Sequence, residues 1–138
     1  MDNLVIRQYR SNDFNEVITL LKNYFSINNN INSLKDNDNS FGIVAVINNI
    51  IVGYIRVDKL FNPFKNNSYY FLNYVCVDNN YQNMNIGTQM LEFIFNKAKK
   101  NNISYIELTS RASRKAANHL YLKNGFTIRD TNVFRKDI

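Results

Sequence analysis

The chain has 138 residues, 45% of them hydrophobic and 20% charged, with a net charge of +6 and an isoelectric point near 9.5. A chain of this length is typical of one domain with one core, and its composition excludes a disordered chain and any run of about 18 apolar residues that would span a bilayer. We therefore expect one domain over residues 1–138, with a basic surface that favours an anionic partner.

Cysteine usage and the first residues indicate the compartment. Cys76 is the only cysteine, so no disulfide can form within the chain and cysteine provides no metal site. Asp2, Arg7 and Arg10 interrupt the apolar stretch at the start, which makes it a poor signal peptide. We expect a cytoplasmic protein with neither a metal nor a membrane partner.

The first quarter of the chain predicts a strand and a helix. Residues 4–9 alternate as a strand does, and Ser11 is placed to cap a helix with Asp13 in its first turn. The apolar positions that recur at helical spacing are Phe14, Val17, Ile18, Leu21, Tyr24 and Phe25. Residues 26–40 are polar, which predicts a loop with at most a short helix at 31–35.

The pattern in the rest of the chain predicts a hairpin, two single strands, two helices and a final pair of short strands. Residues 41–60 form a hairpin around Asn48 and Asn49, and a central strand follows at 69–77. A helix at 86–100, a strand at 104–108 and a helix at 113–123 come next, and Gly125 ends the last helix in the left-handed conformation. "FTI" and "NVF" are predicted as two short final strands. This order indicates an α/β domain with a mixed sheet flanked by helices.

The segment "VDNNYQNMNIG", residues 77–87, connects the central strand to a helix. The first N–H groups of a helix lack internal partners, so this connection is a natural anion site, and a phosphate is its expected ligand. Gly87 permits close approach of the backbone because it has no Cβ. A plain strand-to-helix connection would look similar, so the loop alone leaves both interpretations open.

Two motifs resemble the GNAT family of N-acetyltransferases. In "VDNNYQNMNIG", Val77, Gln82 and Gly87 match the family's cofactor loop, whereas Asn85 stands where the family has its first glycine. In "RKAANHLYLKNGF", the family's second motif is matched by Ala117, Tyr121, Gly125 and Phe126. The two motifs occur in the family's order.

The resemblance implies a mostly antiparallel sheet, acetyl-CoA as the acetyl donor and direct transfer to a primary amine in a ternary complex. The pyrophosphate would lie on the loop amides and the pantetheine arm along the central strand. The implied donor-binding residues are Val75, Cys76, Val77, Gln82, Asn83, Met84, Asn85, Ile86, Gly87, Thr88 and Asn118.

The resemblance also implies catalytic roles. Tyr121 matches the family's general acid, and Asn73 stands where many relatives have a glutamate base, so it could only position substrate or water. Glu107 on the neighbouring strand is a candidate base, and His119 is a weaker one because it lies about 200° around the helix from Tyr121. Arg114 either binds CoA phosphate or is a surface cation.

Two rival functions remain open. A CoA-binding regulator without catalysis is suggested by Asn73 and Asn85, and a nucleic-acid-binding domain by the basic charge and many aromatic residues. Core packing accounts for several of those aromatics, so we expect no nucleic-acid partner. The resemblance implies that residues 24–40 and 61–68 select the acceptor, a small-molecule or peptide amine. Asp36, Asp38 and Asp58 are the acidic residues in or near these segments. A homodimer is common in the family.

Overall fold

The computed structural model describes residues 3–138, so Met1 and Asp2 lie outside the described residues. In chain order the elements are β1 (Leu4–Gln8), α1 (Phe14–Phe25), β2 (Ser40–Ile47), β3 (Ile50–Asn62), β4 (Asn67–Val77), α2 (Ile86–Lys100), β5 (Ile103–Leu108) and α3 (Lys115–Lys123). Short 3-10 turns at Ser11–Asp13 and Asn79–Tyr81 precede α1 and follow β4. Within the described residues, every helix is too short or too polar to cross a bilayer.

The five strands form one sheet in the order β1-β2-β3-β4-β5. The first three pairings are antiparallel, whereas β4 and β5 run parallel. The predicted mixed, mostly antiparallel sheet flanked by helices is confirmed. The predicted hairpin is also confirmed, since Asn48 and Asn49 connect β2 to β3 with φ of 49° and 66°, the left-handed pair that a tight hairpin turn requires.

Helices cover both faces of the sheet. On one face α1 contributes Val17, Leu20 and Leu21 to a core with Tyr54 and Cys76. On the other face α2 and α3 pack on a larger core whose helical members are Ile86, Met90, Leu91, Ile94, Ala98 and Tyr121. Helices cover both faces of β2 and β3, which are buried on both sides. The strand predicted at 69–77 is interior to the sheet as expected, since β4 lies between β3 and β5.

The start of α1 differs from its prediction. Ser11 does not cap the helix; it opens the 3-10 turn, and α1 proper begins at Phe14. The organising side chain is Asp13, whose Oδ2 accepts the Arg10 N–H at 2.8 Å and the Arg7 Nη1 at 2.8 Å, while its Oδ1 accepts Arg7 Nη2 at 2.9 Å. A carboxylate with three donors holds the strand-to-helix turn, which a serine hydroxyl could not do.

The predicted loop after α1 is confirmed. Residues 27–39 contain no helix, and side chains there replace backbone hydrogen bonds: Asn37 Oδ1 accepts the Asn39 N–H at 2.8 Å and Asp36 Oδ1 accepts the Gly42 N–H at 2.8 Å.

The prediction of two last strands, "FTI" and "NVF", is wrong. Residues 126–138 are irregular, and their side chains find no sheet to cover them: Ile128 is 87% and Phe134 91% exposed.

Candidate active site

The sheet opens between β4 and β5. Their parallel pairing ends where Leu72 faces Leu108, so no strand in the described residues pairs with that side of β4 from Asn73 to Val77. A bulge lies at the same place: Tyr54 pairs with Cys76 and Arg56 with Asn73, which leaves Ile55 opposite two residues of β4. Tyr74, one of these two, has φ of 54°. The bulge bends β4 away from β5 and leaves free backbone groups at the gap.

The loop after β4 is held by its own polar side chains. Asp78 Oδ1 accepts the Asn80 N–H at 2.9 Å, and the Asp78 N–H donates to the Val52 carbonyl at 2.7 Å. Gln82 Nε2 donates to the Val77 carbonyl at 2.7 Å, which ties the middle of the loop back to the end of β4. Gln82 therefore has a structural function that needs no charge.

Asn85 and Gly87 form the entry to α2. Asn85 lies in the left-handed conformation, φ 60° and ψ 18°, which is the geometry that a glycine at this position would provide. Its carbonyl accepts the Gln89 N–H at 3.0 Å, so the preceding amides of Ile86, Gly87 and Thr88 have no carbonyl partner within the helix. These three amides lie where the sequence predicted an anion site, and the site itself stays a prediction.

Gly87 has a second role that the sequence did not indicate. A Cβ on this residue would lie 2.8 Å from Leu120 Cδ2, closer than real side-chain contacts allow. The glycine therefore lets α3 approach the start of α2. Thr88 joins the two elements from the same turn, since its Oγ1 accepts Asn124 Nδ2 at 3.2 Å.

A cavity of about 460 Å³ connects the gap in the sheet to the α2 amides. Of the predicted donor-binding residues it brings together Val75, Cys76, Val77, Gln82, Asn83, Asn85, Ile86, Gly87 and Thr88. Arg114 and Lys123 add positive charge to the same wall, and Tyr121 and the exposed His119 also line it. The loop, the strand edge and the predicted acid thus share one cavity.

Tyr121 lies on the inner face of α3 with 6% of its surface exposed. Its ring packs edge-on against Phe126, with centroids 5.8 Å apart. Burial raises the pKa of the phenol, and the nearby Arg114 guanidinium lowers it to a smaller extent. The phenol therefore stays protonated at neutral pH, as a proton donor must.

Cys76 is a buried core residue beside this phenol. Burial raises the pKa of its thiol to about 12, so the group is a neutral thiol at physiological pH. The thiolate is the reactive form of cysteine, so Cys76 does not act as a nucleophile.

Four predicted site residues do not line the cavity: Asn73, which is described below, and Glu107, Asn118 and Met84. Glu107 accepts Arg129 Nη1 at 2.8 Å, so an ion pair occupies its carboxylate. Asn118 uses its amide to hold the turn before α3, donating to the Arg111 carbonyl at 2.9 Å. The side chain of Met84 is 37% exposed on the loop.

Asn73 lies at the mouth of the gap and donates to a carboxylate. Its Nδ2 is 3.1 Å from Asp58 Oδ2, and Ser40 Oγ donates to Asp58 Oδ1 at 2.6 Å. Sequence reasoning named Asp58 as a local acid but did not connect it with Asn73, because the two residues lie on different strands.

Arg114 was the residue whose role the sequence left undecided. It lines the cavity and its Nη2 donates to the Tyr24 hydroxyl at 3.2 Å, across 90 positions of sequence. Tyr24, at the end of α1, was predicted as a core residue. Nothing local in the sequence signals such a long-range pair.

Comparisons with known proteins agree with this geometry. The family model described as Acetyltransferase (GNAT) family matches residues 4–126. A comparison with curated protein sequences finds no significant match.

Solved structures share the fold at low sequence identity. An aminoglycoside acetyltransferase from an uncultured soil metagenomic sample superposes with a TM-score of 0.87 at 20% identity, covering 98% of this chain and 95% of the other. A ribosomal-protein-alanine N-acetyltransferase from Brucella melitensis biovar Abortus 2308 gives 0.85 at 15%, covering 98% and 99%. A predicted acetyltransferase from Clostridium acetobutylicum, solved with acetyl-CoA, gives 0.78 at 20%, covering 96% of each chain. With the family model spanning both motifs and all five strands, the chain belongs to the GNAT family of acetyltransferases.

Proposed function

We propose that this protein, acting as one domain, transfers an acetyl group from acetyl-CoA to a primary amine by direct attack within a ternary complex. The observation that carries the proposal is the single cavity shared by the unpaired edge of β4, the free amides of α2 and the Tyr121 phenol. A strand edge, an anion site and a proton donor are the three elements that this reaction requires of the protein.

The donor side of the cavity fits acetyl-CoA. The amides of Ile86, Gly87 and Thr88 are free of intrahelical partners and lie at the positive end of α2, which suits a pyrophosphate. Arg114 and Lys123 on the same wall add charge for further phosphate oxygens. The edge of β4 from Val75 to Val77 offers backbone groups for a strand-like ligand. Asn83 and Asn85 complete the loop around this site.

When bound, acetyl-CoA supplies an acetyl group activated as a thioester. The backbone amide near Val75 is the donor available to a carbonyl oxygen at the gap, where it would stabilise developing negative charge. As the amine nitrogen bonds to the carbonyl carbon and the carbon–sulfur bond breaks, Tyr121 Oη gives its proton to the leaving sulfur. The proton of the attacking amine leaves through water, which Asn73 can orient. Glu107, tied to Arg129, is the weaker candidate for this step.

The acceptor is an amine that enters from the α1 side, between the loop 27–39 and the mouth of the gap. Among the structural neighbours, the metagenomic enzyme was also solved with sisomicin, and the Brucella protein is described as acting on ribosomal protein alanine. Both a small polyamine and a peptide amine therefore remain within the proposal. A cytoplasmic location suits it, because the single cysteine and the expected donor fit a reducing compartment.

The active form is a homodimer. Residues 126–138 carry apolar side chains that their own chain leaves bare, with Val133 at 76% and Phe134 at 91% exposed, and β5 is an unpaired edge strand. In a dimer, residues 126–138 of one chain could pack along the β5 edge of the second chain, which would bury both the apolar side chains and the strand edge. Light scattering at micromolar concentration should give twice the mass of one chain, and Phe134→Ser should lower it; a monomeric wild type would contradict the dimer.

The test of the function is the melting temperature with acetyl-CoA, with CoA and with a plain phosphate salt, followed by thioester consumption with amine acceptors. A ligand at about 100 times its dissociation constant stabilises the fold by ~2.7 kcal/mol, which shifts a domain of this size by several degrees. We expect a shift with both CoA compounds and none with phosphate. Binding without any amine-dependent turnover would favour the alternative, a CoA-binding regulator, and no shift at millimolar acetyl-CoA would contradict both.

A further inference from the structure

Asp58 of β3 lies beside the opening of the sheet. It pairs in register with Ser40 on β2 and with Phe71 on β4, and the β4–β5 pairing ends one residue after Phe71. Asn73, the first residue of β4 beyond that pairing, donates to its carboxylate. The carboxylate is therefore held at the mouth of the gap, on the face of the sheet that α1 and the loop 27–39 cover.

Neutral groups fix both oxygens of this carboxylate. Ser40 Oγ donates to Oδ1 at 2.6 Å and Asn73 Nδ2 to Oδ2 at 3.1 Å. A carboxylate oxygen has two lone pairs, so each oxygen retains one acceptor position. Asp58 is half-buried, which leaves these positions within reach of a ligand.

Arg56, two residues before Asp58 on β3, forms no ion pair with it. Arg56 Nη2 donates to Ser40 Oγ at 2.8 Å and to the Lys35 carbonyl, and Arg56 Nη1 is 3.9 Å from Asp36 Oδ1. No ion pair within residues 3–138 includes Asp58. A half-buried carboxylate that has hydrogen bonds only from neutral groups attracts a cation, because the cation supplies the opposite charge that the protein itself does not.

We propose that Asp58 binds the acceptor and selects a cationic amine: its carboxylate, oriented by Asn73 and Ser40, holds an ammonium group of the acceptor at the mouth of the gap. The inference rests on the proposed acetyl transfer and narrows its substrate class. It also gives Asn73 a role. Asn73 on β4 stands where many relatives have a glutamate, and its amide instead orients the carboxylate of Asp58 on β3.

The test compares Asp58→Asn with wild type on acceptors of different charge. The cationic probes are sisomicin, spermidine and a peptide with a free N-terminal alanine followed by lysine, so that each keeps an ammonium group besides the reacting amine. The neutral probe is hydroxylamine at pH 7.5, with its uncatalysed reaction with the thioester measured without enzyme and subtracted. We expect Asp58→Asn to raise KM for the cations about tenfold or more, because a charge-assisted contact is lost, while hydroxylamine acetylation and the acetyl-CoA dissociation constant stay as in wild type. Asp58→Glu should recover part of the effect. Glu92→Gln removes an exposed carboxylate of α2, outside the acceptor segments, and should leave every KM unchanged.

An equal loss toward cations and hydroxylamine, or an unchanged KM for the cations, would overturn the assignment. If Asp58→Asn does not fold, Ser40→Ala provides the second test: it frees Asp58 Oδ1 from its hydrogen bond and should raise KM for the cations while leaving hydroxylamine acetylation unchanged. Wild-type enzyme that acetylates hydroxylamine but none of the three cations overturns the inference and leaves the transferase activity intact. Wild-type enzyme that binds acetyl-CoA but acetylates no probe contradicts the proposed function, and this inference with it.

Discussion

Leu120 of α3 occupies the space that a side chain on Gly87 of α2 would need, with 2.8 Å between Leu120 Cδ2 and the Cβ position of Gly87. The helix that carries Tyr121, the proposed proton donor, thus packs directly on the first turn of α2, the proposed anion site. Gly87→Ala should push α3 outward, lowering stability by about 1 kcal/mol, the lower end of overpacking costs, because a leucine end is flexible. We expect acetyl-CoA affinity to fall in the same variant.

A double-mutant cycle separates this contact from a local effect on the helix. Leu120→Ala alone removes packing, and Leu120→Ala together with Gly87→Ala should cost less than the sum of the two single changes, because the clash is gone. Strict additivity in the melting temperatures would show that the two residues are not coupled.

Tyr121→Phe keeps the ring that packs on Phe126 and removes only the hydroxyl. A general acid contributes on the order of 10²-fold or more, so kcat should fall by about that factor while the acetyl-CoA dissociation constant stays within about twofold. Steady-state kinetics and a binding titration on the same preparation check both. Full turnover in this variant would remove Tyr121 from the proton transfer.

The left-handed conformation of Asn85 predicts a different response to glycine and to alanine. Asn85→Gly should match or slightly exceed wild-type stability, whereas Asn85→Ala should cost about 1 kcal/mol, because a Cβ without a polar side chain disfavours positive φ. Thermal unfolding checks the order. Asn79→Ala, at an exposed loop asparagine without positive φ, should change little and serves as the control. Equal losses for Asn85→Gly and Asn85→Ala would show that the side chain, not the conformation, matters there.

The pair of Arg7 and Asp13 predicts an acid-sensitive stability. The Arg7 hydrogen bonds hold the pKa of Asp13 below its ordinary value of 3.8. A lowered pKa means that the ionised form stabilises the fold above that ordinary value and that this contribution is lost as pH falls through the folded-state pKa. Asp13→Asn should cost about 3 kcal/mol at pH 7, since it leaves a partly buried arginine unpaired.

Asp137→Asn is the matched control for that experiment. Asp137 pairs with Arg135 at the same 2.8 Å, but its side chain is 81% exposed, whereas that of Asp13 is 8% exposed. An exposed pair contributes about 0–1 kcal/mol, so this variant should melt close to wild type. Denaturant unfolding between about pH 3 and pH 7 should show a shallower loss on acidification in Asp13→Asn than in wild type. Similar losses for both variants at pH 7 would refute the assignment.

The elements that depend on local periodicity or turn chemistry could be predicted from the sequence. Residues 86–100 form a helix with the predicted bounds, and Asn48 and Asn49 make the predicted turn, because helical spacing and turn chemistry are encoded within a few neighbouring residues. The bulge at Tyr74 could not be predicted, since it is defined by the register of β4 against β3. The pairs Arg114–Tyr24 and Asn73–Asp58 could not be predicted either, because the tertiary fold brings together residues that are far apart in the sequence.

The two wrong strands at the carboxyl end have a different origin. Ile128, Val133 and Phe134 have the β-branched and aromatic character of strand residues, but a strand forms only where another strand pairs with it. Propensity indicates the conformation that these residues favour but not which strand would pair with them, and in the structure they pair with none.

The bulge in β4 also governs which side of the sheet each later residue faces. Leu72 and Cys76, four positions apart, would share a face in a regular strand, yet Leu72 packs under α2 and Cys76 under α1. The additional residue reverses the alternation once, just before Val75 and Val77 reach the cavity wall. The number of residues between Asn73 and Cys76 is therefore as constrained as their types. Deleting one of them would remove the bulge and move the side chains of Val75 and Val77 to the opposite face of the sheet, although the composition of the strand would hardly change.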